Sequence, residues 1–351
     1  MFLLYSLAPA PPAEGERSIN TLKGLSVLIP FRNEEKNLPE LLASFENFKS
    51  LPFPYEIIFI DDHSTDQSET TIGRSENFRF IRSDKKGKKF AIQKGVKAAQ
   101  HPWILTLDAD ILINRTLASL LETTDVSQAK MLLFTLRPVR RKGFIAAFFD
   151  LEFLALQGIG IGLADKGHPV LSNGACLLFE KKAFLEVDEK RTDYHIASGD
   201  DIFGMNAIAE KYGSQSIKVA STYPAVDVSF PDAFLDLFSQ RSRWIAKTMD
   251  VPNEKYQILA ICMGFVHLLP LGVLISLSLG GNWIDAVSIL FIKWVGEWIL
   301  FVIVTKHYER RDLLFYLPFA QLLYPFYTFA LIVSGMLKKI QFKKSPLNAA
   351  R

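Results

Sequence analysis

Trp103-Ile104-Leu105-Thr106-Leu107-Asp108-Ala109-Asp110 decides the fold. Its apolar and β-branched residues run on without alternation and stop at two carboxylates, the pattern of a strand covered on both faces whose carboxyl end meets solvent. A second run of the same kind, Tyr55 to Ile60, ends in Asp61-Asp62-His63-Ser64. Ligands of open α/β sheets bind in the crevice at the carboxyl ends of the strands, so the two acidic clusters are expected to meet at one crevice.

Outward from these runs, short apolar stretches alternate with amphipathic ones. Leu25 to Ile29 reads as the first strand, Tyr55 to Ile60 as the second, Phe78 to Arg82 as the third and Trp103 to Leu107 as the fourth. Helices fit roughly over Glu34 to Phe48, Thr65 to Arg74 and Lys88 to Gln100. Such repetition argues for βα units and a largely parallel sheet, hence an α/β domain. Beyond Asp110 come Met131 to Leu136, a long apolar stretch from Gly143 to Leu163, and another strand at Ala175 to Phe179. Asp150 and Glu152 lie within the long stretch and Gly158, Gly160 and Gly162 weaken its end, so it reads as a buried or interfacial helix in preference to a span.

A chain of 351 residues accommodates one catalytic domain and an appendage. Forty Lys and Arg against 37 Asp and Glu leave a net charge of +3, too little to mark a nucleic-acid binder. Mean hydropathy is positive, and the apolar excess is concentrated in Gln257 to Gly280, Ala286 to Thr305 and Leu313 to Leu337. Each is long enough to cross a hydrocarbon layer of about 30 Å as a helix. Pro318 and Pro325 interrupt the third, which leaves three readings: a re-entrant element, a strongly kinked helix, or a full crossing that violates the charge rule. Lys293 and Glu297, four apart in the second, either pair on one face or meet a polar acceptor head. Phe230 to Asp250 mixes aromatic and basic residues and suits a helix lying at the membrane surface. Met1 to Ala10 is short and lacks a basic flank, so no secretory signal is expected. Cys176 and Cys262 stand far apart, outside any Cys-x-x-Cys set, and are read as structural and reduced; zinc chemistry is not indicated.

Asp108-Ala109-Asp110 is either a solvated turn or, given its place after a buried strand, a site for diphosphate chemistry. A diphosphate leaving group needs neutralising, and Mg²⁺ or Mn²⁺ held by one or two carboxylates together with phosphate oxygens supplies that. Asp110 can reach such a metal while Asp108 contacts a ribose or metal-bound water. Asp61 and Asp62 can accept from a base N–H or a ribose hydroxyl, or else Asp62, Ser64 or Thr65 caps the helix that follows. Lys85-Lys86-Gly87-Lys88-Lys89 opens a helix with a basic loop suited to phosphates, to acidic lipid or simply to solvent.

Taken in order, Val27-Leu28-Ile29-Pro30-Phe31-Arg32-Asn33-Glu34-Glu35, Asp61 to Asp66, Gly87-Lys88 with Ala91 and Gly95, Asp108-Ala109-Asp110, Gly199-Asp200-Asp201 and Gln240-Arg241-Ser242-Arg243-Trp244 resemble the family 2 glycosyltransferases across residues 24–250. The resemblance implies a GT-A fold with a mixed, mainly parallel sheet followed by C-terminal transmembrane helices. It also implies an inverting mechanism, a nucleotide-diphosphate sugar donor and a divalent metal. Carried over, Pro30, Arg32, Glu34, Asp61, Asp62, Lys88 and Asp108 fall on the donor side, Asp110 with Asp108 at the metal, and Asp201 at the general base with Asp200 beside it. Gln240, Arg243 and Trp244 match the Gln-x-x-Arg-Trp signature of membrane-embedded members, Trp244 on the acceptor side. Many members have Glu-Asp where this chain has Asp200-Asp201; the shorter first carboxylate leaves the base intact and bears on acceptor positioning. The residues agree: inversion needs a carboxylate opposite the leaving group, Arg243 offers a fork to phosphate or carboxylate, and Trp244 offers an apolar face to a sugar or lipid head or else serves as a core or interface anchor.

The expected layout is an N-terminal extension (1–23), a catalytic domain (24–229), an interface helix (230–255), a membrane domain (256–337) and a basic tail (338–351). The implied enzyme moves a sugar to a lipid or lipid-linked acceptor at the cell (inner) membrane with its catalytic domain in the cytoplasm. A processive polysaccharide synthase and an inactive sugar-nucleotide scaffold are the competing readings. Lys306, Arg310 and Arg311 against no basic residue in Gly280 to Asp285 fit a hairpin of the first two segments, whereas Lys338, Lys339, Lys343 and Lys344 pull the other way on a three-span count.

Overall fold

The computed structural model describes residues 21–73, 78–196, 199–246 and 248–344. Most of the extension 1–23, Arg74 at the end of an expected helix, Lys247 on the amphipathic segment and residues 345–351 of the basic tail lie outside the described residues. The chain divides into two units: the described residues up to Val139 with Gln157–Phe230, and Arg140–Leu156 with the chain from Pro231 onward. Arg140–Leu156, inside the stretch assigned from sequence to the catalytic domain, thus groups with the C-terminal helices.

The first unit is built on strands β1 (Leu25–Phe31), β2 (Tyr55–Asp61), β3 (Phe78–Arg82), β4 (Trp103–Leu107), β5 (Ile111–Ile113), β6 (Met131–Pro138), β7 (Cys176–Glu180) and β8 (Ile217–Val228). They form one sheet in the order β3-β2-β1-β4-β7-β6-β8-β5. The first four are mutually parallel, β7 runs antiparallel between β4 and β6, β8 is parallel to β6, and β5 closes the far edge antiparallel to β8. The uninterrupted apolar runs of β1 and β4 are buried throughout, as a strand covered on both faces requires. Edge strand β3 instead exposes alternate residues, and its arginines make it a poor template for further pairing.

One face of the sheet carries Leu28, Ile58 and Ile60 into a core with helices α3 (Lys88–Ala98), α6 (Lys181–Asp188) and α7 (Asp200–Tyr212) and the end of α5 (Phe144–Asp165). Phe59, one residue out of phase, faces the other side, where Phe45 and Phe78 pack edge-on against it and tilted against each other. That side holds α1 (Leu38–Ser44), a 3-10 turn at Phe45–Phe48 and α2 (Ser68–Ile72), and α4 (Arg115–Thr123) follows β5 in the chain.

Two helices begin later than the sequence pattern predicts. Glu34 to Asn37 remain a loop because the Glu34 and Glu35 amides donate to Ser68 Oγ and Asp66, and α1 starts only at Leu38 with a proline in its first turn. Asp66, not Asp62, Ser64 or Thr65, receives the Ser68 amide at the start of α2. Strand β8 carries no clear sequence signal because Pro224 breaks it, and β6 accommodates the interruption with shifts of register around Thr135.

In the second unit the first part of α5 joins α8 (Phe234–Ala246), α9 (Glu254–Ser278), α10 (Trp283–His307), a 3-10 turn at Arg311–Tyr316 and α11 (Leu317–Lys344). Among the described residues, four segments are long and apolar enough to cross a membrane: α5, α9, α10 and Arg311–Leu337. In α9 only 6% of the most apolar window is buried, against 61% in α5, so α9 presents its side chains outward while α5 fills the protein interior. Asn253 and Asn282 cap α9 and α10 by accepting the amides of Tyr256 and Ile284. The third apolar segment is a continuous helix, not a re-entrant turn: Pro318 sits in its first turn, where no intrahelical N–H is lost, and the helix runs on through Pro325. Lys293 pairs with Glu297 at 2.7 Å, and Gln321 donates to the second oxygen of Glu297 at 3.0 Å.

Polar groups in this apolar unit are tied together. Asp150, fully buried, accepts from Arg141 at 2.6 Å and from Arg310 at 3.1 Å. Replacing Asp150 by Ala strips the buried Arg310 guanidinium of its interior anion and is expected to cost about 3–5 kcal/mol. The measurement is the melting transition of the purified protein in detergent, where an unchanged midpoint refutes a supporting role for this network.

Candidate active site

Register places the site. Phe31 pairs with Asp61 and Leu28 with Thr106, so the chain leaves β1, β2 and β4 along one edge of the sheet. Loops from these ends line a cleft of about 200 Å³ with Pro30, Phe31, Arg32, Glu34, Asp62, Lys88, Asp108, Ala109 and Asp110. The loop after β1 is fixed by Asn33, whose side chain accepts the Thr65 amide at 2.8 Å and whose own amide donates to Ser64 Oγ at 3.1 Å. Asn33 and His63 both adopt positive φ, the kind of backbone strain that persists only where surroundings over-determine it.

The neighbouring aspartates at the end of β2 do different things. Asp61 is buried beside the cleft with both oxygens engaged, one by the Ser64 amide at 2.7 Å and one by Arg82 Nε at 2.9 Å. Asp62 lines the cleft and accepts the Gly87 amide at 2.7 Å, which anchors the basic loop in front of α3. Lys88, the first residue of that helix, places its ammonium 2.6 Å from Asp108 Oδ1 and 3.7 Å from Asp200 Oδ2. Burial alone lowers an ammonium pKa; the charges of Asp108, Asp200 and Asp201 outweigh it and raise that of Lys88, keeping it cationic.

Asp110 is the uncompensated member. Its Oδ1 is buried with no hydrogen-bond partner, and burial, followed by the charges of Asp108 and Glu34, pushes its pKa up to about 7. Burial likewise raises Glu34, with Asp108 and Asp66 adding to it. No group of three His, Cys, Asp or Glu closes into a metal-ligand cluster among the described residues. Asp110 and Asp108 therefore fit a hard cation that takes its remaining ligands from phosphate oxygens and water.

Gly199 reaches left-handed φ (84°) and turns the chain into α7, so Asp200 and Asp201 fall in the first turn, where the helix dipole favours carboxylates. Asp201 Oδ2 accepts the Gly174 amide at 2.9 Å. A Cβ on Gly174 would lie 3.3 Å from both Asp201 Cβ and Lys88 Nζ, so a larger residue here would crowd the carboxylate and the ammonium where they approach. The sequence reading missed Gly174; its signal is an Asn-Gly-Ala turn just ahead of β7. Lys89 points elsewhere: its buried ammonium binds Asp193 at 2.5 Å, and with Arg191 it holds the 3-10 turn at Asp193–His195. Although burial opposes it, these two cations pull the Asp193 carboxyl down to about 2.

Gln240, Arg243 and Trp244 belong to α8 in the second unit. Arg243 is exposed, with Ser239 Oγ 3.4 Å away. The buried guanidinium is that of Arg241, which donates to Glu152 at 2.8 Å and to the Gln240 amide oxygen at 3.0 Å and lies 4.2 Å from the centre of the Trp244 ring. Tyr327 reaches Glu152 at 3.3 Å. Arg241 had no assigned role in the sequence reading.

The carboxylate of Asp110 gives a pH test. Its folded pKa lies above the unfolded value, so the ligand-free fold carries a cost that grows as pH rises from about 4 to about 7 and then levels. Asp110→Asn removes that charge. The variant is expected to melt higher than the unsubstituted protein at pH 8 without divalent metal, with the gap closing toward pH 4. Equal melting at pH 8 contradicts the assigned environment.

Comparison with known proteins agrees with this geometry. Residues 26–158 match the family described as Glycosyl transferase family 2. The chain is 35% identical over 94 residues, 25% of its length, to the undecaprenyl-phosphate 4-deoxy-4-formamido-L-arabinose transferase of Proteus mirabilis. It is 26% identical over 248 residues, 68% of its length, to the poly-β-1,6-N-acetyl-D-glucosamine synthase of Staphylococcus aureus. It spans 29% and 57% of the length of these two relatives. Among solved structures, a mannosyltransferase from Pyrobaculum calidifontis in complex with GDP-Man and Mn²⁺ superimposes with a TM-score of 0.59 at 14% identity, covering 98% of this chain and 95% of that one. With β1, β2 and β4 delivering the acidic clusters to one cleft, residues 26–158 carry a glycosyl transferase family 2 domain on a GT-A fold.

Proposed function

We propose that this chain transfers a sugar, with inversion, from a nucleotide-diphosphate sugar to a lipid or lipid-linked acceptor at the membrane. The observation that carries the reading is the convergence of Asp62, Asp108 and Asp110 on one cleft, joined through Lys88 to Asp200 and Asp201. Pro30, Arg32, Glu34 and Asp62 line the donor side, with Asp61 holding the loop from behind. A divalent cation, Mg²⁺ or Mn²⁺, held by Asp110 with Asp108, neutralises the leaving diphosphate when bound. Asp201, oriented by the Gly174 amide, takes the proton of the acceptor hydroxyl. The hydroxyl oxygen forms its bond to the anomeric carbon on the face opposite the diphosphate, and the electron pair of the broken C–O bond leaves with the phosphate.

Gln240 and Arg243 are assigned to the donor and Trp244 to the acceptor. Trp244 precedes the start of α9 at Glu254 by ten residues, which puts the acceptor-side residue next to an apolar span in the chain. The lipid acceptor is supported by the name of the Proteus relative, and the nucleotide and cation by the ligands in the Pyrobaculum structure. The catalytic domain is assigned to the cytoplasmic face of the cell membrane, where nucleotide sugars are available. The Staphylococcus relative, named a polysaccharide synthase and matched over more of this chain, keeps polymer formation as the second reading. The catalytically inactive scaffold is disfavoured by the complete carboxylate set.

Asp201→Asn is expected to abolish transfer and leave nucleotide binding nearly intact, because the base acts on the acceptor; turnover at the unsubstituted rate removes Asp201 from that role. With labelled nucleotide sugars and a lipid extract, the label is expected in organic solvent as a discrete glycolipid. Recovery mainly in a water-soluble polymer favours the synthase.

Orientation is tested by labelling of Arg311→Cys and Asn282→Cys in intact and opened cells. Arg311→Cys is expected on the catalytic side and Asn282→Cys on the opposite one. Labelling of both from the same side rejects the hairpin.

A further inference from the structure

Asp108 and Asp110 lie two residues apart at one strand end, yet their carboxylates are treated differently. Asp108 Oδ1 is bound by the Lys88 ammonium at 2.6 Å, while Asp110 Oδ1 is buried without a partner. The ammonium is not loosely placed. Its helix is preceded by Gly87, whose amide is fixed to Asp62 at 2.7 Å; Asp200 stands 3.7 Å from the ammonium, and Gly174 leaves room beside it. Of the Asp108 and Asp110 pair, a divalent cation entering alone would meet the unpartnered Asp110 oxygen and, next to it, a fixed positive charge 2.6 Å from Asp108 Oδ1. A nucleotide diphosphate changes that balance by adding negative charge and phosphate oxygens, to which an ammonium at a helix N-terminus is well suited.

We infer that Lys88 is a positioning residue that makes cation binding conditional on the nucleotide: it withholds Asp108 from the cation until a diphosphate enters the cleft and competes for the ammonium. The inference rests on the reading of this cleft as a nucleotide-diphosphate and cation site. Linkage makes the effect reciprocal, so the cation raises nucleotide affinity by the same factor as the nucleotide raises cation affinity.

The test measures Mn²⁺ binding to the full chain in detergent, by the electron paramagnetic resonance signal of free Mn²⁺, with no nucleotide, with UDP and with GDP. For the unsubstituted protein the preferred nucleotide is expected to tighten Mn²⁺ binding by about 30-fold, within the usual range of coupling between sites. Lys88→Met frees Asp108 and is expected to bind Mn²⁺ alone about tenfold more tightly, with the coupling reduced to about threefold or less. Lys88→Arg keeps the charge and is expected to retain the coupling. Melting transitions establish that each variant is folded; where Lys88→Met is not, Lys88→Gln, which removes the charge but keeps a hydrogen-bonding group for Asp108, takes its place. If the unsubstituted protein shows coupling and the neutral variant shows the same coupling and the same affinity for Mn²⁺ alone, this inference is overturned and the cleft assignment stands. If Mn²⁺ and both nucleotides fail to bind the unsubstituted protein at all, the cleft assignment falls and takes the inference with it.

Discussion

The contact between Lys88 and Asp108 is the interaction on which the site depends. Parallel pairing of β1, β2 and β4 gathers carboxylates at one sheet edge, and a cleft with several like charges and few counter-charges resists folding. Each member of the group but one has an answer. Asp61 has the Ser64 amide and Arg82, Asp62 the Gly87 amide, and Asp201 the Gly174 amide. Lys88 serves Asp108 and Asp200 together and so joins the strand-end cluster to the first turn of α7. Asp110 is left over, its pKa pushed up to about 7 by burial and by the charges of its neighbours. A residue whose cost is unrelieved in the free protein is where binding a cation gains most, which is why such shifts gather at functional sites.

The second unit shows the opposite arrangement. Its buried charges are matched one against another: Asp150 with Arg141 and Arg310, Glu152 with Arg241 and Tyr327, Lys293 with Glu297 and Gln321. In an apolar medium each unpaired group would carry a large desolvation cost, so closed sets of this kind fasten helices to one another. The pairing of Lys293 with Glu297 and Gln321 accounts for two charged residues in a segment otherwise suited to hydrocarbon. Arg241 belongs to the same logic, since its guanidinium links the α5 carboxylate Glu152 to the Gln240 amide and the Trp244 ring.

What could be read from the chain was whatever depends on local pattern. Continuous apolar runs located β1 to β4 to within two residues, the acidic pairs at their ends located the cleft, and the length of the C-terminal apolar stretches located helices able to span a membrane. Motif order carried the family. Strand β8 was hidden because Pro224 removes a donor and breaks the alternation, so its pairing with β6 rests on a register shift in the partner strand. The starts of α1 and α2 were misplaced because Glu34, Glu35 and Asp66 are engaged in cross-links between two loops, contacts that run between residues some thirty positions apart.

Sequence by itself therefore determined the kind of fold, the membrane-type helices and the residue types available for catalysis, because strand burial, span length and motif spacing are properties of consecutive residues. Only the tertiary structure decided which of two adjacent or near-adjacent candidates does what. Asp61 turns inward and Asp62 lines the cleft because neighbours at a strand end point to opposite sides. Arg241 is buried and Arg243 exposed because two helical positions are separated by about 200° around the axis. Gly174 became a site residue, and Lys88 acquired Asp108 and Asp200 as partners, through the packing of the turn before β7, α3 and α7 around one ammonium, a meeting of segments that no local pattern in the chain encodes.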